Sequence, residues 1–346
     1  AGWANLVGWS EAAGRALSLF SGMLAIAVIA RIGADLCGKK AGIGSALAAG
    51  TSAWTIYYLH ELRTFTLVAF LSTLLLLLYL RALRLHKIPF RLSASIALVT
   101  AGLLYTHYFA ALSAAIIGFT HLLHLRTTRP DKRWWNITLA FAIGAFAFLP
   151  WLGSAIQSQQ RVLVDAERLF SLSTDIAFVF SSGLPPFLLL LVLISLKDRK
   201  ARRILGMTCG LWALILFAYA IFSVGEVRYA FGLLPFLALL AGSGIAQLTQ
   251  RGIPLYLLVL ILCIACLSAA DTPEMWRRMQ RTPPQPFREV RDLLLPAIST
   301  QDRLLYVLDR DADTRGDHEA PFRYYTRNIP GDHALISLRH DDIAAL

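Results

Sequence analysis

Apolar runs recur along the chain from Arg15 to Ala270, separated by short polar turns. A bilayer core about 30 Å thick takes roughly 20 apolar helical residues to cross. Ten segments fit this pattern approximately: Ala16–Leu36, Ile43–Leu59, Thr64–Ala82, Ser93–Thr106, Phe109–Leu123, Trp135–Leu152, Ile176–Leu196, Ile204–Phe222, Tyr229–Gln247 and Ile253–Ala269. The run from Ser93 to Leu123 is too long for one span and short for two. His107 sits in its middle, among Tyr105, Thr106, Tyr108 and Phe109. Hydrocarbon disfavours a polar side chain there, so the pattern predicts a turn at the membrane surface and two short spans.

Beyond Asp271 the pattern changes. Charged residues return, and Pro273, Pro283, Pro284 and Pro286 predict a linker. Phe287–Pro296 reads as a short amphipathic helix, and Leu304–Leu308 and Ala334–Leu338 as strands. The expectation is an all-α polytopic membrane protein of about ten transmembrane helices over residues 1–270, followed by a small α/β domain over residues 271–346. No internal repeat stands out.

Composition agrees. Of 346 residues, 56% are hydrophobic and 16% charged, where a soluble chain carries about a quarter charged. The mean hydropathy is +0.57. The net charge is +11, but most of it sits in short turns between apolar runs, so it reads as a topology signal rather than a nucleic-acid surface. When the turns are numbered alternately, one set carries sixteen Lys and Arg, the other four: Arg63, Arg161, Arg168 and Arg228. Basic turns face the cytoplasm, which puts Ala1 and the tail outside. Merging the two short spans around His107 would destroy this alternation. The implied location is a bacterial inner (plasma) membrane, with the tail periplasmic. The chain starts at Ala1 without an initiator Met, and the expectation is a processed or incomplete chain.

Polar residues on the sparse outer turns are the candidates for chemistry. His60-Glu61-Leu62-Arg63 follows the interfacial pair Tyr57 and Tyr58. One reading is an Arg–Glu pair closing a helix end. The other is that Arg63 holds a phosphate, because a planar guanidinium matches phosphate oxygens. His107 and Tyr108 either form a plain hairpin turn or line a cavity shared with Arg63. Arg228, in Glu226-Val227-Arg228-Tyr229, either snorkels to the surface or supplies a second cation. The loop Pro150–Ser173 is amphipathic enough to lie on the membrane, as a cover or a connector.

Other patterns fail. Asp309-x-Asp311-x-Asp313 lacks the glycine and glutamate of a calcium loop, with Thr314 and Ala320 in those places. His121 and His124 share a helix face without a further ligand and read as interfacial histidines. Cys263 and Cys266 lie inside an apolar run and read as small buried hydrophobes. No phosphate-cradling glycine loop, nucleophile elbow or HExxH is present, which argues against ATP-driven chemistry.

Four stretches together resemble the GT-C glycosyltransferases that use lipid-linked sugars, in particular the bacterial branch related to protein mannosyltransferases and to lipid A aminoarabinose transferases (glycosyltransferase family 39). They are Glu11 to Arg15 with the span that follows, SAWTIYYLHELRTF around His60-Glu61-Leu62-Arg63, the turn Leu104 to Phe109, and Val227-Arg228-Tyr229 before LLPFLALLAGSGIA. The tail, with Phe322-Arg323-Tyr324-Tyr325, is similar to the family's periplasmic domain.

The resemblance implies transfer of a sugar from a polyprenyl-phosphate donor to a lipid, glycan or protein acceptor on the outer face, without nucleotide or other cofactor. Some relatives use a divalent metal, but no ligand cluster in the sequence argues for one. Arg63 and Arg228 would hold the phosphate, Glu61 would orient Arg63, and His107, Tyr108 and Tyr229 would contact phosphate or sugar. The family's acidic base lies in an outer loop that the resemblance places upstream of Ala1, and His60 stands where the family usually has Gln. A transporter or lipid flippase, and a catalytically incomplete relative, are the competing expectations.

Overall fold

The structure, a computed structural model, describes residues 11–61, 63–107, 109–123, 131–157, 166–222, 227–270, 272–279, 303–309 and 332–338. Contacts divide the chain into two units, Ala1–Arg281 and Thr282–Leu346.

The first unit is entirely helical among its described residues. Its helices are α1 (Glu11–Cys37), α2 (Lys39–Gly50), α3 (Ala53–His60), α4 (Phe65–Arg84), α5 (Phe90–Thr106), α6 (Ala110–Leu123), α7 (Lys132–Phe146), α8 (Leu149–Gln157), α9 (Ala166–Phe180), α10 (Pro185–Ser195) and α11 (Arg199–Phe222). A 3-10 turn (Val227–Leu233) leads into α12 (Leu234–Gln250), followed by α13 (Leu255–Ala270) and α14 (Pro273–Met279). Four of the described helices are long and apolar enough to cross a membrane alone, and up to five spans result if α9 and α10 count as one bent span. Shorter apolar helices, α5, α6 and α13, add to these. The protein is therefore a multi-pass membrane protein built from helices. The run around His107 is two helices, as the charge alternation requires.

α12 is the most enclosed element. Of the apolar window in Val227–Gln250, 94% is buried, against 39 to 56% in the other three long spans. It packs on α2 and α10 through small residues, as helices in lipid do when no hydrophobic gain drives their association. A Cβ at Gly242 would lie 2.7 Å from the Ala41 carbonyl oxygen, and one at Gly244 would strike the Leu191 backbone. The large side chains of Trp54, Tyr79, Tyr219, Phe231 and Phe236 are fully buried around this centre. Phe90, Leu98, Phe146 and Leu267 face outward, as a lipid-embedded surface requires.

Two predicted spans are broken. Ile43–Leu59 becomes α2 and α3, interrupted at Thr51 and Ser52, and Ile176–Leu196 bends by 83° between α9 and α10. A break in hydrocarbon frees backbone groups that must find partners. Ser182, at the second break, supplies them for the first. Its hydroxyl accepts from the Ala53 N–H at 2.8 Å and donates to the Thr51 carbonyl at 2.9 Å. To do so Ser182 adopts a left-handed conformation, φ +52°, beside Gly183 at +85°.

The basic turns meet at one end of this unit. Lys200 Nζ donates to the Leu36 carbonyl at 2.6 Å, Arg84 to the Asp35 carbonyl at 3.1 Å, and Arg133 to the Leu83 carbonyl at 3.2 Å. The acceptors are last-turn carbonyls of α1 and α4, which have no partner within their own helix. The basic residues thus cap helices as well as marking topology. Toward the tail, Arg278 of α14 bonds Asp175 of α9 and Glu274 at 2.6 Å each and stacks over Phe178 at 4.3 Å.

In the second unit, β1 (Arg303–Asp309) and β2 (Asp332–Leu338) pair in parallel, with Tyr306 opposite Leu335. Both strands fall where the sequence places them. The helix expected over Phe287–Pro296 lies outside the described residues.

Ser182→Ala removes both partners at the first break and leaves the buried Ala53 N–H unsatisfied. A loss of about 1–3 kcal/mol is expected, against a smaller loss for Ser181→Ala, whose hydroxyl serves only its own helix. Thermal unfolding of the two variants in one detergent checks this, and equal effects would count against that role.

Candidate functional site

The candidate site lies at the end of the helical unit opposite the basic turns. α3 ends at His60, and the chain turns over residues 61–64 into α4. Ser18 of α1 fixes that turn by donating to the Arg63 carbonyl at 3.0 Å. Arg63 Nε faces Glu61 Oε2 at 3.8 Å, with both side chains partly exposed. Such a pair contributes little stability in water, so its geometry matters more than its energy.

Tyr57 sits one helical turn before Glu61 and is the point of convergence. Glu61, Arg63 and Arg228 all lie near enough to the Tyr57 hydroxyl to act on it electrostatically. Arg228 enters from the 3-10 turn before α12. A guanidinium nitrogen reaches the Tyr229 hydroxyl at 3.3 Å, and the guanidinium carbon lies 5.1 Å from the Tyr229 ring centre. Two cations from separate elements, Arg63 and Arg228, thus both act on Tyr57.

An aromatic cluster supports the charges. Tyr229 stacks on Phe109 at 5.1 Å and approaches His107 at 5.2 Å and Phe65 at 6.0 Å. Tyr58 meets Phe65 and Phe231 edge-on, and Phe231 meets Trp54 the same way. Edge-to-face pairs hold ring positions more tightly than burial alone.

His107 terminates α5. Its Nδ1 accepts the Phe109 N–H at 3.2 Å, which leaves Nε2 as the protonated nitrogen of the neutral ring. Burial first, and the Arg228 charge second, push its pKa from 6.5 down to about 4.

Five sequence candidates, Glu61, Arg63, His107, Arg228 and Tyr229, therefore fall in one contact network. Tyr108 and Glu226 lie outside the described residues, as do Gln159, Arg161 and Asp165 of the long outer loop. His60 turns back to the Ile56 carbonyl at 2.8 Å and stays exposed. Tyr57, read in the sequence only as an interfacial aromatic, is the central residue; its i,i+4 spacing to Glu61 was the available signal. His121, expected at the interface, is instead buried at 2% exposure and stacked on Trp134 at 5.1 Å, with Thr138 Oγ1 3.1 Å from Nε2. Among the described residues no three His, Cys, Asp or Glu side chains gather to hold a metal.

The arrangement of helices is shared with a solved membrane protein. It matches the crystal structure of ArnT from Cupriavidus metallidurans in the apo state with a TM-score of 0.64, over 97% of this chain and 73% of that one, at 15% identity. Arabinofuranosyltransferase AftD from mycobacteria is similar at a TM-score of 0.49 and 15% identity, over 85% of this chain but 24% of its own. No family model matches the sequence, and no curated protein matches it.

A histidine with a folded pKa near 4 and an unfolded one near 6.5 binds fewer protons when folded. Its stabilising contribution is complete above pH 6.5 and is lost as pH falls toward 4. Chemical unfolding at pH 7 and pH 5 is expected to show a drop in stability for the native chain and a smaller drop for His107→Gln. Equal drops would remove His107 from the acid response.

Proposed function

We propose that the protein is a membrane glycosyltransferase that moves a sugar from a polyprenyl-phosphate donor to a lipid, glycan or protein acceptor on the outer, periplasmic side of a bacterial inner membrane. The observation that carries this reading is that Arg63, paired with Glu61 at 3.8 Å, and Arg228, held against the Tyr229 ring, border one aromatic cluster of Phe65, His107 and Tyr229. The likeness in fold to ArnT supports it, as does the family resemblance of the same stretches.

The chemistry follows from the charges. A polyprenyl-phosphate sugar keeps its tail in lipid and presents a phosphate at the surface. Transfer makes that phosphate the leaving group, and fixed cations stabilise the charge that grows on it. Arg63 and Arg228 take that role, with Glu61 orienting Arg63. The neutral His107 offers its Nε2 proton as a hydrogen-bond donor, and Tyr229 and Tyr108 face phosphate or sugar. The acceptor hydroxyl requires a base, a role the resemblance assigns to an acidic residue of an outer loop.

One observation favours transport instead. Paired helix breaks, as at Thr51–Ser52 and Ser182–Gly183, are where many transporters place substrate sites. The cavity beside these breaks holds only about 20 Å³ and is lined by Thr51, Phe180, Ser182 and apolar neighbours, without a charged side chain. That is room for about one water, so the breaks carry the second reading only weakly against the arginine cluster.

The test is sugar transfer by the full-length protein in bilayers given radiolabelled polyprenyl-phosphate sugars, with sugar nucleotides as control. Transfer from the lipid donor alone is expected. Arg63→Ala is expected to reduce it by about 10²-fold or more, on the scale of losing one transition-state donor, while membrane insertion is kept. Arg63→Lys should be impaired as well, because an ammonium cannot make a bidentate contact. Full activity in Arg63→Ala would take Arg63 out of the site, and no transfer from any lipid donor would overturn the enzyme reading.

A further inference from the structure

A groove of about 640 Å³ runs along the seam between α5 and α7, far along the helices from the arginine cluster. Its volume lies within the range of ligand pockets, roughly 300–1,000 Å³. Small residues make it: Ala94, Ala97 and Ala101 on α5, Ala140 and Gly144 on α7, and Ala147 just after it. The two helices touch backbone to side chain at its floor, where a Cβ on Gly144 would lie 2.6 Å from the Ala97 carbonyl oxygen. Leu98, Leu139 and Ile143 stand exposed along its walls.

We propose that this seam binds an acyl chain of an anionic phospholipid, with the headgroup held at the basic end by Lys132 and Arg91. Three features select that occupant. Length comes first: from Phe90 to Ala101 the groove follows about 16 Å of α5 at ~1.5 Å per residue, close to half of a ~30 Å hydrocarbon core. It therefore fits a chain from one leaflet. Closure comes second. The far end is shut by the Tyr105 hydroxyl, which donates to the Ala147 carbonyl at 2.8 Å, and by the Tyr105–Phe148 ring contact at 5.4 Å. The groove therefore stops at that end and runs open toward the basic one.

Charge comes third. Lys132 lies one turn before Asn136, a lining residue, on the same face of α7, and Arg91 flanks the lining face of α5. Both are exposed, and neither forms an ion pair with a described residue. Arg133, the next cation, is already committed to Asp131 at 3.7 Å and to the Leu83 carbonyl. Basic mouths between transmembrane helices are where anionic headgroups bind, and Asn136 and Ser93 add polar groups for the glycerol ester region. This inference does not depend on the glycosyltransferase reading.

The test uses native mass spectrometry of the purified full chain with phosphatidylglycerol and phosphatidylcholine of identical acyl chains. Phosphatidylglycerol should be retained on the order of tenfold more strongly, given two cations at the mouth. The double variant Arg91→Gln, Lys132→Gln should lose that preference and still hold both lipids. Ala94→Phe, at an exposed lining position, should lose both. A photoreactive-chain phosphatidylglycerol on the unmodified protein should label α5 and α7, which tests the site without any substitution. Equal retention of the two lipids, unchanged binding in Ala94→Phe, or a seam occupied by another segment of the chain would overturn the proposal.

Discussion

In hydrocarbon two helices gain nothing from leaving water when they meet, so their contact must come from shape. α12 meets α2 and α10 where Gly242 and Gly244 let backbone lie against backbone. That close approach draws the centre of the unit together and sets the height and direction at which the preceding 3-10 turn emerges. Arg228 and Tyr229 are carried on that turn. Their meeting with Tyr57, which is carried on α3, therefore depends on how tightly α12 seats.

Local chemistry then refines what packing sets up. Ser182 joins two broken helices through one hydroxyl, so α3 can depart from the line of α2 and bring Tyr57 and Tyr58 to the surface cluster. Ser18 holds the turn that follows α3, and the cluster of Phe65, Phe109 and Tyr229 fixes the ring positions behind the arginines. Functional charges at the surface thus rest on polar contacts deeper in the unit and on aromatic ones beside them.

Apolar length and charge alternation were enough to read a multi-pass helical protein and the turn at His107, because lipid imposes those patterns on any sequence that crosses it; the two strands followed from short apolar runs in the charged tail. The break at Thr51–Ser52 was passed over because Gly50, Thr51 and Ser52 are small enough to sit within an apolar run, and the hydroxyl that holds it lies 129 residues away from Ala53. At Ser182 the local signs were present, since Gly183, Pro185 and Pro186 follow directly, but they merged into a strong hydrophobic run. Of the site, the arginines and His107 stood out because charge is rare on that face. Tyr57 did not, since a tyrosine at a membrane interface is ordinary until its neighbours are known. His121 was misread for the converse reason: its pairing with Trp134 and Thr138 crosses a turn whose path the sequence does not specify.

The neutral state of His107 bears on how the surface around it responds to acid. Guanidinium groups keep their charge at any pH a cell meets, and an imidazole that protonates only near pH 4 adds no charge above it. The pull of this surface on an anion is therefore constant through mild acidification of the medium. A compartment without its own pH control can change around such a site while the occupancy of the site by an anionic ligand stays the same.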